Sequence, residues 1–302
     1  MKTKNMEKNI IPIDSTKKEL TVHGKIGFPI DVHVNFPSNF GLGLVNWHWH
    51  NEMQFCIVNS GSVSIQVNSN VYILKEGQGV FINSGCLHMV KSIKSNSDSY
   101  ICINFHSKLI SLFQNSEIEQ KYVLPYLSSY KNSSIPIYGK TDEENAILMD
   151  FSSICNLYSK ANYGHELDIV SCLLQVWKKL IKLFDSIVTD KTQPNTDPLR
   201  IKAILQYIND NFEEKILLKD IANAVNLSRE ECCRYFKRVT KYTILDYITD
   251  CRINKSIELM QFSNLSMSQI AMTVGFSGIS YFSSCFKNRL KCTPSEYKKR
   301  IS

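Results

Sequence analysis

Two stretches of this chain, about fifty residues apart, spell one pattern, and the repeat limits what the C-terminal third can become. Residues 226–247 read NLSREECCRYFKRVTKYTILDY, and residues 275–297 read GFSGISYFSSCFKNRLKCTPSEY. Ile221, Ala222 and Val225 recur as Ile270, Ala271 and Val274, an offset of 49. Phe236, Lys237, Thr243 and Tyr247 recur as Phe286, Lys287, Thr293 and Tyr297, an offset of 50. The slip falls in a turn, where one added residue costs no helical register. Each copy predicts a short amphipathic helix, a tight turn and a second helix. In the first copy Asn226-Leu227 makes the turn, with Leu227 as an apolar plug, and Ser228 with Glu231 forms a capping box. In the second, Gly275 suits the positive φ that ends a helix. Residues 244–262 between the copies are long enough for a rigid connecting helix. Two units are too few for a solenoid. Paired helix-turn-helix units, each sending its second helix into a major groove, account for them better.

Charge follows the same division. Residues 198–302 hold 17 Lys+Arg against 10 Asp+Glu, and the preceding 197 residues hold 18 of each, so the formal net charge of +7 sits wholly in the C-terminal third. A basic segment joined to a neutral one implies a polyanionic partner for the basic part. The ten cysteines form no CxxC pair and lie in apolar runs such as FCIV (55–58), as expected of small buried hydrophobes in a reduced cytoplasm. The first residues, MKTKNMEKNIIPID, lack the apolar core of a signal peptide, and no run is long enough to span a membrane. A cytoplasmic protein is expected.

Ahead of the basic region the pattern changes twice. VSIQV (63–67), VYILKEG (71–77), GVFI (79–82) and YICINF (100–105) are short alternating runs between turn residues, the signature of an antiparallel sandwich or barrel. From about residue 110 helical periodicity takes over, and TQPNTDP (192–198) reads as a linker. Within the helical stretch, Leu167, Val170, Leu174, Trp177, Ile181 and Phe184 form one apolar stripe, and Ile169, Leu173, Val176, Leu180 and Leu183 form a second. One stripe docks a helix on its own domain. A second leaves the first free for a partner helix, so it is the candidate homodimer contact; burial between sheet and helices is the alternative.

VGFSGISYFSSCFKNRLKCTPSEY resembles the C-terminal signature of AraC-type transcriptional regulators, VGF-x-x-x-SYFSR-x-FKK-x-x-G-x-TP-x-EYR, and YINDNFEEKILLKDIANAVNLSREECCRYFKRVT is similar to the first half of the same domain. The resemblance covers residues 200–300 and implies seven helices, with two helix-turn-helix units on a linker helix. It also implies a cupin-like sensing and dimerisation module in the strand-rich region. The expected fold is therefore α+β: an antiparallel β-barrel with following helices, then an all-α domain. The expected divisions are a sensing domain (1–110), a helical dimerisation region (111–191), the linker (192–198) and the DNA-binding domain (199–302). Carried over residue by residue, the first recognition helix presents Glu230, Cys233 and Arg234 to base edges, with Lys237 and Arg238 on phosphates. Arg234 is the strongest base reader, because guanidinium can grip guanine O6 and N7 together. The second helix offers Ile279, Ser280, Ser283, Ser284 and Lys287. Three positions depart from the family pattern: Ser284 where Arg is frequent, Lys241 where Gly is frequent, and Leu217 where a Thr cap is frequent. Glu231 is read as a cap and Cys232 as core.

NWHWHNEMQF (46–55) places His48 and His50 two apart, on one face of a strand, and His88 follows in FINSGCLH (81–88). Trp47 and Trp49 then face the other way. A cupin metal set would need a Glu four residues past the second His. Gln54 stands there, Glu52 has the wrong offset, and Asn83 replaces a usual Pro. The histidines, with Glu52, are accordingly read as the lining of a pocket for an organic effector, with no metal or other cofactor and no catalytic residue. A metal-responsive regulator, and less so a cupin-type enzyme, are the alternatives. The expected protein is an effector-responsive activator whose partners are double-stranded DNA, a small molecule, a second copy of itself and RNA polymerase.

Overall fold

Side chains on a strand alternate between two faces, so short runs with one buried face build sheets. The computed structural model describes residues 11–94, 96–127, 133–187 and 198–301. Its strands are β1 (Ile30–Asn35), β2 (Leu44–His48), β3 (Met53–Ser60), β4 (Ser62–Val67), β5 (Asn70–Lys75), β6 (Gly79–Ile82), β7 (His88–Ser92), β8 (Ser99–Phe105) and β9 (Ser134–Ile137). They form two antiparallel sheets, β1-β8-β3-β6-β9 and β2-β7-β4-β5. The four runs read as strands from the sequence lie in β4, β5, β6 and β8. Short helices α1 (Lys108–Ser111) and α2 (Leu124–Leu127) follow, then the long α3 (Asp142–Lys160) and α4 (His165–Ile187). The chain divides into a β-rich unit, Glu19–Pro37 with Asn46–Thr196, and a helical unit, Asp197–Ser302 with Met1–Lys18 and Ser38–Val45.

The two faces of the five-stranded sheet have opposite chemistry. Ile30, Val32, Met53, Phe55, Ile57, Ile101, Ile103 and Phe105 share one face and join α3 and α4 in an apolar core, where Phe55 stacks on Phe151. Each such side chain contributes about 1.5–3 kcal/mol on burial. In the same register Asp31 pairs with Asn104, His33 with Cys102, Gln54 with Asn104 and Cys56 with Cys102 on the other face. Gln54 and Asn104 are nonetheless only 4% and 2% exposed. Buried amides cost stability unless partnered, so this polar face marks the interior of the unit as a place built for polar chemistry.

The two stripes of α4 do not separate cleanly. Ile169, Leu173, Val176 and Leu180 are buried as expected, but Trp177 and Phe184 of the other stripe are buried too. Both rings sit near Phe81 and Tyr126, and the Trp177 indole N–H donates to the Tyr122 carbonyl at 2.8 Å. Leu167 is exposed, and Val170, Leu174 and Ile181 are half-buried. Trp177 and Phe184 are taken into the unit's own core, and Leu174 and Ile181 lie half-buried against it, so Leu167 is the exposed member of the stripe.

The helical unit is α5 (Pro198–Asn211), α6 (Leu218–Ala224), α7 (Arg229–Thr240), α8 (Ile244–Phe262), α9 (Met267–Thr273), α10 (Ile279–Leu290) and α11 (Pro294–Ile301). The expected linker, 192–198, lies outside the described residues apart from Pro198, which starts α5. The internal repeat extends to hydrogen bonds. The Leu227 amide donates to the Ala222 carbonyl (3.0 Å), and the Phe276 amide to Ala271 (2.9 Å). Phe236 meets Tyr247 edge-on at 5.7 Å, and Phe286 meets Tyr297 at 5.5 Å. Thr243 and Thr293 each accept from a backbone N–H three residues on. The extra residue of the second copy is Ser277: α7 is capped directly after Leu227 by Ser228, and α10 follows Phe276 only after Ser277 and Gly278. The plug residues also differ, for Phe276 is buried while the smaller Leu227 is half-buried.

Backbone conformation explains two of the family departures. Lys241 and its counterpart Lys291 end α7 and α10 with φ of 62° and 59°, in the left-handed region that glycine tolerates best. Leu217 precedes α6 with no side-chain cap. At Gly275 the need is absolute: φ is 91°, and a Cβ there would lie 2.5 Å from the Glu213 carbonyl oxygen. Gly275→Ala should destabilise the helical unit by about 1–3 kcal/mol, and Lys241→Gly should stabilise it by about 1 kcal/mol. Urea denaturation of the full chain, followed by helical circular dichroism, checks both signs.

Candidate DNA interface and ligand chamber

The face that α7 presents follows from how it is anchored. Cys232, Tyr235, Phe236 and Val239 are buried beneath it. Ser228 and Glu231 complete the capping box: the Glu231 amide donates to the Ser228 hydroxyl (3.2 Å), and the Ser228 amide donates to the Glu231 carboxylate (3.1 Å). These bonds from Ser228 hold the Glu231 carboxyl below its usual range, and its role is the cap. The opposite side exposes Glu230, Arg234, Lys237 and Arg238, with Cys233 half-buried among them. The Arg238 guanidinium lies 5.4 Å from the centre of the Tyr235 ring, which restrains it at the edge of the face.

In the second unit Phe282 and Phe286 anchor α10. Ile279, Ser280, Ser284 and Lys287 are exposed and Ser283 is half-buried. Sequence reasoning missed two residues here. Tyr281 is exposed on the same helix, an aromatic where its neighbours offer hydroxyls. Arg289 is committed elsewhere: its Nε donates to Asp250 (2.6 Å) and its Nη2 to Asp246 (2.9 Å), both on α8. The spacing of Asp246 and Asp250, four apart on the connecting helix, is the signal that could have revealed this clamp. Lys287 and Lys291 remain exposed at the C-terminal end of this helix.

The β-rich unit gathers its histidines on the polar interior. His48 ends β2, His50 lies two residues on, and His88 opens β7, the strand beside β2. All three are buried, with ring centres 4.2 Å apart for His48–His88, 5.1 Å for His50–His88 and 6.0 Å for His48–His50. The three predicted ring residues thus come together. Glu52 meets them at the outer nitrogen of one ring: its backbone carbonyl accepts from His50 Nδ1 at 3.1 Å, and its carboxylate lies 3.6 Å from that nitrogen. Trp47 is buried and Trp49 half-buried.

Neighbours that the sequence did not single out complete the chamber. Glu19 is placed by its amide, which donates to the Trp49 carbonyl (2.8 Å), and its carboxylate lies 3.8 Å from His48 Nε2 and 3.4 Å from His23 Nε2. Asn104 Nδ2 reaches His23 Nδ1 (3.0 Å), and Gln54 Nε2 donates to Cys102 Sγ (2.8 Å). Glu19 and His23 precede the strands, in a stretch with no apolar period to mark it, whereas Asp31 lies on β1, where Ile30, Val32 and Val34 alternate with polar residues. Gln54 and Asn104 carried a signal, as amides at alternate positions in otherwise apolar strands.

Environment sorts these groups by charge. Burial outweighs the nearby Glu19 charge and keeps His48 below 6.5, places His50 at about 4 and lowers His88 strongly, so all three rings are neutral near pH 7. Burial works against the charge of His23 and His33 as well, but hydrogen bonds to Asp31 prevail, reinforced by Glu19 at His23 and by Cys102 at His33. They raise His23 to about 9 and His33 to about 10. Asp31 is correspondingly held far below the carboxylate range, first by its bond to His23 and then by that to His33, which is 2.9 Å long. A group raised in the folded state stabilises fully below its ordinary 6.5 and ceases to do so as pH rises through its folded value. The melting temperature of the chain should therefore fall as pH climbs from about 7 through about 10, and His33→Asn should flatten that slope. A profile of equal slope in the variant would place the loss elsewhere.

A basic helical unit with two exposed second helices, carried on a chain whose β-rich unit buries a cluster of histidines and amides, fits a DNA-binding regulator. Family models agree on both counts: a helix-turn-helix domain matches residues 221–300, and an AraC-like ligand binding domain matches residues 44–136. The uncharacterised HTH-type transcriptional regulator YdeC of Bacillus subtilis (strain 168) is 34% identical over 295 residues, covering 98% of this chain and 100% of that protein. The HTH-type transcriptional activator RhaR of Mannheimia succiniciproducens is 22% identical over 255 residues, 84% of this chain and 87% of its own. Among solved structures, ToxT of Vibrio cholerae O395 aligns over 92% of this chain and 99% of its own, with 17% identity and a TM-score of 0.41. The chain belongs to the AraC family of HTH-type transcriptional regulators, and regulates transcription by binding DNA. No described helix is long and apolar enough to cross a membrane.

Proposed function

We propose that the chain is a cytoplasmic, effector-responsive activator that reads two adjacent major-groove segments per subunit. The observation that carries this is the exposed face of α7, where Arg234 lies between Glu230 and the cationic pair Lys237 and Arg238. Arg234, flanked by Glu230 and Cys233, reads base edges, and Lys237 and Arg238 hold phosphates. The second unit contributes Ile279, Ser280, Ser283 and Ser284 at the groove, with Lys287 on the backbone. Hydroxyls reading where a guanidinium is usual makes the second unit the weaker discriminator. Activation, rather than repression, is supported by similarity to transcriptional activators such as RhaR, and makes RNA polymerase the protein partner. The functional divisions follow the sequence reading: sensing in 1–110, dimerisation in 111–191, a linker at 192–198 and DNA reading in 199–302.

Binding of the full chain to a promoter recovered by genome-wide occupancy tests the assignment. Log affinity should fall steeply with log salt, as phosphates exchange counterions for lysine and arginine. Arg234→Ala should cost about 1–3 kcal/mol on the true site and relax preference at one base pair. Lys237→Ala should weaken specific and random DNA alike. Equal losses on both DNAs for Arg234→Ala would remove its base-reading role.

Dimerisation through α4 is the second part of the reading, supported by four aliphatic side chains, Leu167, Val170, Leu174 and Ile181, that its own core leaves exposed or half-buried. Trp177 and Phe184 then act as the buried floor beneath that strip. Leu167→Lys with Leu174→Lys should convert a dimer into a folded monomer in sedimentation velocity at micromolar concentration. A wild-type chain already monomeric there refutes the assignment.

A further inference from the structure

Three buried imidazoles turned toward one another, without an acid among them to donate a proton, pose an electrostatic problem that needs a solution. Each ring spends its Nδ1 on a backbone carbonyl: His48 on Asn46 (2.7 Å), His50 on Glu52 (3.1 Å) and His88 on Cys86 (2.8 Å). A carbonyl only accepts, so Nδ1 carries the proton in every case and Nε2 carries a lone pair. The nitrogens that the three rings offer lie within 4.8 Å of one another. His50 Nε2 and His88 Nε2 make no hydrogen bond among the described residues, although the Gln54 amide lies close to His50. Lone pairs facing each other in a buried space repel and remain unsatisfied, at a cost of about 1–3 kcal/mol for each such group. Something that accepts electron pairs at the centre removes that cost.

We propose that His48, His50 and His88 bind a divalent first-row transition-metal ion, zinc foremost, through their Nε2 atoms, with Glu19 as the oxygen donor. The proposal rests on the reading of this chamber as the regulator's ligand site, and gives that ligand a chemical class. Three imidazole nitrogens suit zinc and its neighbours, and exclude calcium and magnesium, which take oxygen donors. The Nδ1–carbonyl bonds are the outer contacts by which a metal-ligating histidine is oriented. The Glu19 carboxylate lies 3.8 Å from His48 Nε2, on a side chain only 7% exposed. It therefore supplies the negative charge that Gln54, at the expected carboxylate position, does not. Ligands on bonds of about 2.0–2.1 Å stand roughly 3.3 Å apart in a tetrahedron. Loading thus draws the rings together by up to about 1.5 Å, within reach of side-chain rotation and a small shift of the turn at Gly85, whose amide donates to the His50 carbonyl (2.8 Å). Drawing β2 and β7 together is a ligand-dependent change at the unit's interior, which is what a regulator requires of its signal.

The test uses the untagged full-length chain, stripped by chelator and titrated with Zn²⁺ by calorimetry and with Co²⁺ by visible absorption. One ion per chain and the intense absorption of four-coordinate Co²⁺ are expected. His50→Asn and His88→Asn should abolish both signals, Glu19→Gln should weaken Zn²⁺ by roughly 10–100-fold, and His165→Asn, at the start of α4, should change neither. Zn²⁺ should also raise the melting temperature of wild type and leave that of His88→Asn unmoved. If the histidine variants fail to fold, the wild-type Co²⁺ spectrum decides, and the weak absorption of a six-coordinate ion overturns the proposal. Undiminished binding in folded His50→Asn and His88→Asn, or less than one ion per wild-type chain, overturns it too. DNA affinity with and without Zn²⁺ is measured separately. A stoichiometric ion in these histidines that leaves DNA binding unchanged upholds the site and removes only its regulatory role.

Discussion

Burial of α8 along both flanks is the constraint on which the helical unit depends. Ile244, Tyr247, Ile248 and Cys251 are buried in its first half, and Ile253, Ile257 and Met260 join the apolar cluster of the second copy. Arg252 adds polar ties: its Nε donates to the Phe212 carbonyl and its Nη2 to that of Glu214, both at 2.7 Å, while its guanidinium faces the Phe276 ring. The carbonyl of Glu213, between those two, is the atom that leaves no room for a side chain at Gly275. Arg289 is tied to the same rod through Asp246 and Asp250. Nineteen residues at about 1.5 Å each make the rod about 28 Å long, of the order of the roughly 34–36 Å helical repeat of DNA. α7 and α10, each packed on such a rod, have little freedom to move independently of one another.

The β-rich unit solves a different problem with the same economy. Its five-stranded sheet spends one face on an apolar core with α3 and α4 and reserves the other for amides, thiols and ionisable groups. Within that interior, Asp31 is shared by His23 and His33, which keeps those two rings cationic, while burial keeps His48, His50 and His88 neutral. Five histidines of one unit thus fall into two electrostatic classes. Hydrogen bonds to Asp31 separate the two classes, since Glu19 beside His48 and Glu52 beside His50 do not outweigh burial.

The helical unit was legible because its signals are local and repeated. The 49-then-50 offset, the Ser228–Glu231 box and the 244–262 helix appear in the structure at the same residues, and Cys232 is core. Much of the chamber was not legible, for a physical reason. His48 and His50 announce themselves by their spacing, although β2 ends at His48, but Glu19, His23 and Asn104 reach them through pairings between distant segments. The carboxylate position of the cupin pattern holds Gln54, while the acid beside His48 is Glu19, which comes from upstream. On α4, periodicity identified two apolar stripes without showing that Trp177 and Phe184 would turn inward, a choice made by the available volume beside Phe81 and Tyr126.

That both recognition helices engage DNA from one rod is the central claim, and hydroxyl-radical footprinting of the full chain on an occupied promoter tests it most directly. Each subunit should protect two backbone segments about one helical turn, roughly 10–10.5 base pairs, apart on one face of the duplex. Protection of a single segment per subunit, unchanged when Ser284 and Lys287 are replaced by alanine, would contradict it.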